Sequence, residues 1–126
     1  MPPSTMDCKS CDSVFSEFCR TRSKEEKRIL DGAKQARHFR SGQVLYDEGS
    51  PCEAVYCIHS GRLKLYKFSP KEEEVIIGLA GPRDLIGYLA CIDRRPHDTS
   101  AETLSEVVAC SIPSRVLTAL LVSDTD

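Results

Sequence analysis

The feature that most restricts the fold is a succession of short apolar stretches, separated by turn residues, from His38 onward. The stretches "QVLYDEG", "AVYCIHSGRLKLYKF" and "EVIIGLA" mix apolar and polar residues in the alternation typical of half-buried strands. Glycine, proline and serine lie between them, at the intervals of about 8 to 12 residues that are typical of β-sandwiches and jelly rolls. The pattern therefore predicts a mainly β fold.

Within this region several strand boundaries can be predicted. Two strands joined at residues 59–61 are expected in "AVYCIHSGRLKLYKF", with Leu63 and Leu65 on one face and Lys64 and Tyr66 on the other. "SPKEE" is expected to form a polar hairpin tip. "GPRDLIGYLAC" is expected to continue as a strand or a short helix, and "SAETLSEVVACSIP" as one long bent strand or two short ones.

Helices are predicted at both ends of the strand-rich region. Ser23 followed by Glu26 fits a capping box, and Ile29 and Leu30 would give this helix, predicted over residues 24–31, its buried side. Gly32 indicates a bend or an end. Ser114 is expected to cap a final helix that begins with "RVLTALLV".

Length and charge exclude several classes of protein. The 126 residues suffice for one compact domain. With 17 basic and 19 acidic residues, the net charge of -2 offers no basic surface for duplex DNA. No apolar run reaches the roughly 20 residues that span a bilayer, and no signal peptide is evident, so we expect a cytoplasmic protein without a membrane partner. No catalytic motif is present, so an enzyme is not expected.

Cysteine is unusually frequent, with seven residues in the chain, three of them in "CKSCDSVFSEFC" at Cys8, Cys11 and Cys19. In a reducing cytoplasm, metal binding or sensing is a better explanation than a disulfide framework. Exposed thiols in a disordered tail and a zinc site of four cysteines are the alternatives. A cysteine within a strand, such as Cys110, is most often a small buried apolar residue. We interpret Cys52, Cys57 and Cys91 as core or turn residues.

Several stretches resemble the CRP/FNR family of transcription regulators. "LYDEGSPCEAVYCIHSGRLKLYKF" is similar to the first half of its cyclic-nucleotide-binding-type β-roll, and "GLAGPRDLIGYLACI" and "SAETLSEVVACSIPSRVL" are similar to the second half. The resemblance extends from Cys8 to about Leu117. It is closest to the oxygen-sensing branch, the fumarate and nitrate reduction regulator (FNR). It implies a double-stranded β-roll, or jelly roll, with short flanking helices.

FNR-type proteins hold an oxygen-labile 4Fe-4S cluster through three N-terminal cysteines and a distant fourth that precedes Ile-Pro. The resemblance therefore implies that the cluster, and with it iron, is bound by Cys8, Cys11, Cys19 and Cys110. The C-x2-C-x7-C spacing here is two residues longer than the best-known form of the motif. Four thiolates suit an iron–sulfur centre. The cluster is expected to be lost in aerobic preparations.

The resemblance also implies that no cyclic nucleotide is bound. Nucleotide-binding members of this fold place Gly-Glu and Arg-Ser-Ala around the ribose and the cyclic phosphate. The corresponding positions here are Gly87-Tyr88 and Thr99-Ser100-Ala101. The carboxylate for the ribose hydroxyl and the guanidinium for the phosphate are therefore missing.

By this resemblance, residues 1–22 are a cysteine-rich cluster-binding segment and residues 23–126 a β-roll sensor domain. The family's dimer helix and DNA-binding helix-turn-helix domain are absent from the 126 residues. The full-length regulator is expected to be a homodimer that binds DNA through that domain and contacts RNA polymerase through the loop at 69–74. Alternatives are a β-roll that senses haem, nitric oxide or a small organic effector, a thiol-redox switch, and a cluster-free interaction module.

Overall fold

The computed structural model describes residues 23–124. The cysteines Cys8, Cys11 and Cys19 lie outside the described residues. The helices are α1 (Lys24–Ala33), α2 (Tyr88–Asp93) and α3 (Ser114–Asp124). The strands are β1 (Gln35–Phe39), β2 (Val44–Tyr46), β3 (Ala54–Ser60), β4 (Leu63–Phe68), β5 (Glu74–Ala80), β6 (Leu85–Ile86), β7 (Ser100–Thr103) and β8 (Val107–Pro113).

The strands form two four-stranded sheets in which the paired strands are antiparallel. The first sheet has the order β1-β8-β3-β6, and the second has the order β2-β7-β4-β5. Neighbours in each sheet are mostly distant in sequence, as in a jelly roll. The mainly β double-sheet fold expected from the strand pattern is confirmed.

The central strands β3 and β8 of the first sheet are buried on both faces, because each face packs against a different cluster. The inner face of this sheet contributes to the roll interior, whose members are Phe39, Tyr56, Ile58, Leu63, Ala80, Ile86, Ala101, Val107 and Ala109. Its outer face contributes to a second cluster, which we call the helix-side core and which contains Leu30, Val55, Cys57, Cys91, Cys110, Ile112, Leu117 and Leu120. Alternating side chains of β3 and β8 supply the two clusters.

Helix α1 begins at the predicted capping box. The Ser23 hydroxyl accepts the Glu26 N–H at 3.1 Å, and the Glu26 carboxylate accepts the Ser23 N–H at 3.2 Å. Leu30 is fully buried in the helix-side core, whereas Ile29 is 48% exposed, so the prediction that both are buried is wrong for Ile29. The helix also runs through Gly32 to Ala33 instead of ending there.

Strand β4 has the predicted faces. Leu63 packs in the roll interior and Leu65 packs against it. On the other face, the Lys64 ammonium lies 5.1 Å from the centre of the Tyr66 ring. The register of β4 against β7 is regular, whereas the register against β5 shifts because Ile77 is an extra residue in β5. The predicted alternation of β4 is therefore confirmed, and the bulge lies in β5.

The remaining predicted strands and turns are present. The "GPRDLIGYLAC" stretch contains both alternatives, the short strand β6 followed by helix α2, and "SAETLSEVVACSIP" forms the two strands β7 and β8. The hairpin tip is closed by the Ser69 hydroxyl, which accepts the N–H groups of Lys71 and Glu73 at 3.2 Å each. Among the described helices, none is long and apolar enough to span a membrane.

Candidate functional site

Cys110 lies in β8, the strand hydrogen-bonded between β1 and β3, and its side chain is fully buried. Ala36 of β1 and Cys57 of β3 lie opposite it. Cys110 and Ile112 pack in the helix-side core, whereas Ala109 packs in the roll interior. The implied ligand that falls within the described residues therefore faces away from the interior of the roll.

Helix α1 packs on the same face of the sheet. Its residue Leu30 belongs to the helix-side core together with Cys110. Residues 1–22, which contain the three N-terminal cysteines, directly precede Ser23 and this helix. The chain that follows Cys8, Cys11 and Cys19 is thus anchored on the face of the sheet that carries Cys110.

The surroundings of Cys110 determine whether it could serve as a ligand of an iron–sulfur cluster. Within residues 23–124, no three His, Cys, Asp or Glu residues are grouped to hold a metal ion. A cluster at Cys110 would therefore take its other ligands from residues 1–22. A cysteine sulfur in an apolar core is a suitable donor, because thiolate ligation and burial set the properties of such clusters. In these respects Cys110 fits the implied group.

Three further thiols lie in or against the helix-side core. Cys57 and Cys91 belong to it with 2% and 3% exposure, and the half-buried Cys52, in the segment before β3, packs against it. Their interpretation as core or turn residues is confirmed. Their gathering around Cys110 was not predicted, because it depends on the register of β3 against β8 and on where α2 packs.

The half-buried thiol of Cys52 is held in the protonated form. Burial, together with the nearby Cys91, raises the pKa of Cys52 to about 11. The Cys52 Sγ lies 3.6 Å from the Ala54 carbonyl oxygen and 3.5 Å from that of Gly87. The Cys91 Sγ lies 3.7 Å from the carbonyl oxygen of Ser114 in α3. These contacts join α2, α3 and the start of β3.

A surface cavity of about 790 Å³ lies beside these thiols. It is open between α2, α3 and the turn before β3. Cys52 and Cys91 form part of its wall, and three arginines, Arg94, Arg95 and Arg115, lie around it. Arg95 is paired with Asp93 at 3.2 Å. The cavity thus borders the edge of the helix-side core.

The positions that correspond to a nucleotide site are divided between the two cores, because Ala101 packs in the roll interior and Tyr88 packs against the helix-side core. Gly87 has a φ of 83° and precedes helix α2, of which Tyr88 is the first residue. A Cβ atom at Gly87 would lie 3.3 Å from the His97 ring and 3.3 Å from the Ala54 carbonyl oxygen. The side chain of Thr99 is hydrogen-bonded to Tyr46. These residues pack against each other closely.

An aromatic stack occupies this region. The rings of Tyr46 and His97 lie 3.7 Å apart with an interplanar angle of 13°. Burial lowers the pKa of His97 and raises that of Tyr46 to about 12, so both side chains stay uncharged at neutral pH. The adjacent cavity measures about 230 Å³, and its charged wall residues are Asp47 and Glu53. Two carboxylates and no guanidinium are an unfavourable setting for a phosphate.

The loop at 69–74 and the strand after it form an exposed surface. Lys64 and Glu74 form an ion pair at 2.7 Å at the start of β5. The apolar side chains of β5 are unusually exposed, from 45% to 69% for Val75, Ile76, Ile77 and Leu79. Contiguous apolar surface of this kind is typical of contact sites between proteins.

Comparison with known sequences gives a family match and curated relatives. The family described as "Cyclic nucleotide-binding domain" matches residues 36–124. The transcriptional activator protein Anr of Pseudomonas protegens is 32% identical over 84% of this chain and 43% of its own length. The anaerobic regulatory protein of Pasteurella multocida is 31% identical over 87% of this chain and 40% of its own length. The chain thus spans less than half of either relative.

Comparison with solved structures supports the fold. The N-terminal domain of a transcriptional regulator from Streptomyces coelicolor superimposes with a TM-score of 0.69 and 25% sequence identity. The match covers 84% of this chain and 74% of that one. The double-sheet arrangement described above is therefore shared with a known regulator domain.

Proposed function

The chain belongs to the CRP/FNR family of transcription regulators, and from this membership we propose that it is an oxygen-responsive sensor domain. In this proposal a 4Fe-4S cluster is bound by Cys8, Cys11, Cys19 and Cys110. Relatives named as an anaerobic regulator and as Anr support the assignment to this branch. The relatives reported above are transcription regulators, not enzymes.

One observation carries the proposal: Cys110 faces the helix-side core, on the side of the sheet where α1 packs. Leu30 holds α1 against that face, and residues 1–22 lead into α1. If Cys110 faced the roll interior, ligands from residues 1–22 would have to enter between the two sheets. On the outer face they need only extend beside α1.

In the proposed mechanism, the four cysteines tie residues 1–22 to the outer face of the first sheet. When bound, the cluster supplies the redox chemistry that responds to oxygen. Strand β8 ends at Pro113 and α3 begins at Ser114, so the position of Cys110 is coupled directly to α3. The sensor then has two states, which differ in whether residues 1–22 are tied to this face, and ligation favours one of them.

The proposal extends to the partners of the full-length regulator. We expect a cytoplasmic homodimer whose DNA-binding domain lies outside these 126 residues. The exposed apolar strand β5 and the loop at 69–74 are surfaces at which such a protein would contact a dimer partner or RNA polymerase. The exposure of Ile76 and Leu79, at 56% and 69%, supports a contact here.

The experiment is anaerobic reconstitution of the 126-residue chain with iron and sulfide. We expect about four irons per chain and a broad visible absorbance that bleaches in air. The variant Cys110→Ala should lose both. The matched control, Cys91→Ala, removes another buried thiol of the same core and should keep both. Wild-type protein that stays colourless and iron-free after reconstitution, while its circular dichroism shows a folded chain, would contradict the proposal.

A further inference from the structure

Cys57 lies directly opposite Cys110 in the pairing of β3 with β8. Both side chains belong to the helix-side core, so they project from the same face of the sheet. They are 2% and 0% exposed. The implied iron ligand therefore has a second cysteine as its cross-strand neighbour, and the role proposed above does not use that cysteine.

The backbone of β3 shows which type of pair this is. The Ile58 N–H donates to the Asp84 carbonyl oxygen, and the Ile58 carbonyl oxygen accepts the Arg83 N–H, both at 2.9 Å. Ile58 thus directs its backbone groups toward the β6 side. Since this direction alternates along an antiparallel strand, Cys57 directs its own backbone groups toward β8.

Cys57 and Cys110 are therefore a hydrogen-bonded pair, whose Cα atoms lie about 5.5 Å apart in antiparallel sheets. Disulfides most often join Cα atoms about 5.5 to 6 Å apart. Directly opposite Cβ atoms lie about 4.5 to 5.5 Å apart, with hydrogen-bonded pairs at the longer end, whereas a disulfide needs about 3.5 to 4.5 Å. Closing the bond therefore keeps the register of β3 and β8 but draws the two strands together by about 1 Å. Such a strained disulfide is easily reduced.

We infer that Cys57 and Cys110 are an oxidation site, a dithiol that closes to a cross-strand disulfide under peroxide. If Cys110 also binds iron, which rests on the proposed function, then the disulfide and the cluster exclude each other. A sulfur bonded to Cys57 has no thiolate with which to bind iron. The pair would hold the sensor in a cluster-free state until a thiol reductant opens the disulfide.

The oxidation balances with hydrogen peroxide as the oxidant. The Cys110 thiolate attacks one peroxide oxygen, which gives a sulfenic acid at Cys110 and releases hydroxide. The Cys57 sulfur then attacks the Cys110 sulfur, the S–S bond forms and the sulfenic oxygen leaves as water. The proton from Cys57 and the one first lost from Cys110 are taken up by the departing oxygens. In total, two thiols and one peroxide give one disulfide and two waters.

Burial sets the conditions for this reaction. Buried thiols are poorly ionised and react slowly, so the pair is expected to oxidise slowly while α1 covers it. Ligation of Cys110 by a cluster would itself require access to this face from residues 1–22. Movement of α1 away from the sheet would expose the same sulfur to solvent, so the rate of oxidation is expected to depend on how often α1 opens.

The first test treats cluster-free wild-type protein with hydrogen peroxide under anaerobic conditions, followed by alkylation in denaturant. Cleavage with trypsin and then after glutamate, at Glu53, separates Cys52 from Cys57. Mass spectrometry of the unreduced digest should show the Cys57 peptide linked to the Cys110 peptide, and dithiothreitol should separate them. Recovery of both peptides fully alkylated, or of Cys110 linked to a different cysteine, would overturn the inference.

Two variants provide a matched comparison. Cys57→Ala should abolish the crosslink at Cys110. Cys91→Ala, which removes a thiol of the same core and similar burial, should keep it. A crosslink that is lost equally in both variants would indicate a general effect on the core and contradict a specific pair. Because the peptide map is made on the wild-type chain, the test does not depend on either variant folding.

Iron binding then separates this inference from the proposed function. Peroxide-treated wild type should take up iron only after dithiothreitol. If the disulfide forms but reduced protein takes up no iron, the oxidation site stands and the cluster proposal fails. If reduced protein takes up iron but peroxide yields no crosslink, the cluster proposal stands and the inference fails.

Discussion

His97 illustrates how single residues determine what the roll interior can accept. Its ring is 5% exposed and stacks on Tyr46, where a ligand of the nucleotide type would need room and a cation. The neutral imidazole suits this position, because burial disfavours its protonated form. Two uncharged rings therefore pack against each other at this position.

This stack predicts a specific loss of stability at low pH. Burial lowers the pKa of His97 in the folded chain below its usual value of 6.5. As the pH falls below 6.5, the unfolded chain takes up a proton at this residue and the folded chain resists it. The free energy of unfolding should therefore fall, by at most about 1.4 kcal/mol per pH unit from this group. The stabilisation that comes from keeping His97 neutral is fully present above the pKa that His97 has in the unfolded chain.

Urea unfolding at pH 7.5 and pH 5.5 measures this effect. The loss between the two values should be smaller in His97→Gln than in wild type. His59→Gln, at an exposed position, should behave like wild type. Equal losses in the wild type and His97→Gln would show that other groups cause the pH dependence.

At the scale of residues, sequence comparison and structure each supplied a different part of the site. Cys110 was singled out by a family resemblance, because an isolated cysteine in a strand gives no local signal of its own. Cys57 could not be linked to Cys110 from the sequence, since 53 positions separate them and the register of two distant strands decides which residues meet. The stack of His97 on Tyr46 is likewise a long-range contact.

Among the elements, α1 shows how a short helix is attached to the roll. Leu30 is its fully buried anchor, whereas the neighbouring Ile29 is 48% exposed. Leu30→Ala is therefore expected to lower the free energy of unfolding by about 2 to 5 kcal/mol, through lost burial and a residual cavity. Ile29→Ala should change it by roughly 0.5 kcal/mol or less. Chemical denaturation of the two variants makes the comparison, and similar losses would contradict the assigned anchor.

Elements governed by local sequence were predictable, and those governed by their neighbours were less so. The capping box of Ser23 and Glu26 and the hairpin tip after Phe68 involve residues close in sequence, and both were found. The bulge at Ile77 in β5 was not predicted, because it depends on how β5 pairs with β4. The apolar pattern of β5 predicted a strand but not its exposure, because a pattern does not show whether a partner covers it.

For the molecule as a whole, the family match and the geometry lead to a clear prediction about cyclic nucleotides. The family is described as a cyclic nucleotide-binding domain, yet the 230 Å³ cavity in this region is bordered by Asp47 and Glu53. Cyclic AMP is therefore expected to leave the melting temperature unchanged. If cyclic AMP did bind the folded chain, a concentration of 100 times its Kd would raise the free energy of unfolding by about 2.7 kcal/mol. The melting temperature would then rise measurably. A saturable rise of the melting temperature with cyclic AMP, measured beside a nucleotide-binding relative, would contradict this prediction.

The fold of residues 23–124 was predictable because their alternating strands and turns belong to one architecture. The fold does not determine which molecule is bound, since the same double-sheet roll also occurs in the regulatory domain of Toxoplasma gondii PKA, which was crystallised with cyclic AMP. Function therefore depends on particular residues within a shared fold. In this chain, the proposed function rests on the cysteines, and the prediction about cyclic nucleotides rests on the uncharged stack inside the roll.

The direct run from Cys110 through Ser111, Ile112 and Pro113 into α3 has an evolutionary consequence. Side chains on a strand change face with every residue, so one inserted or deleted residue here would either turn the Cys110 sulfur into the roll interior or rotate the start of α3. Related genes should therefore vary freely in the length of the hairpin tip at 69–73. They should retain the same number of residues between the counterparts of Cys110 and α3, even where the intervening residues differ.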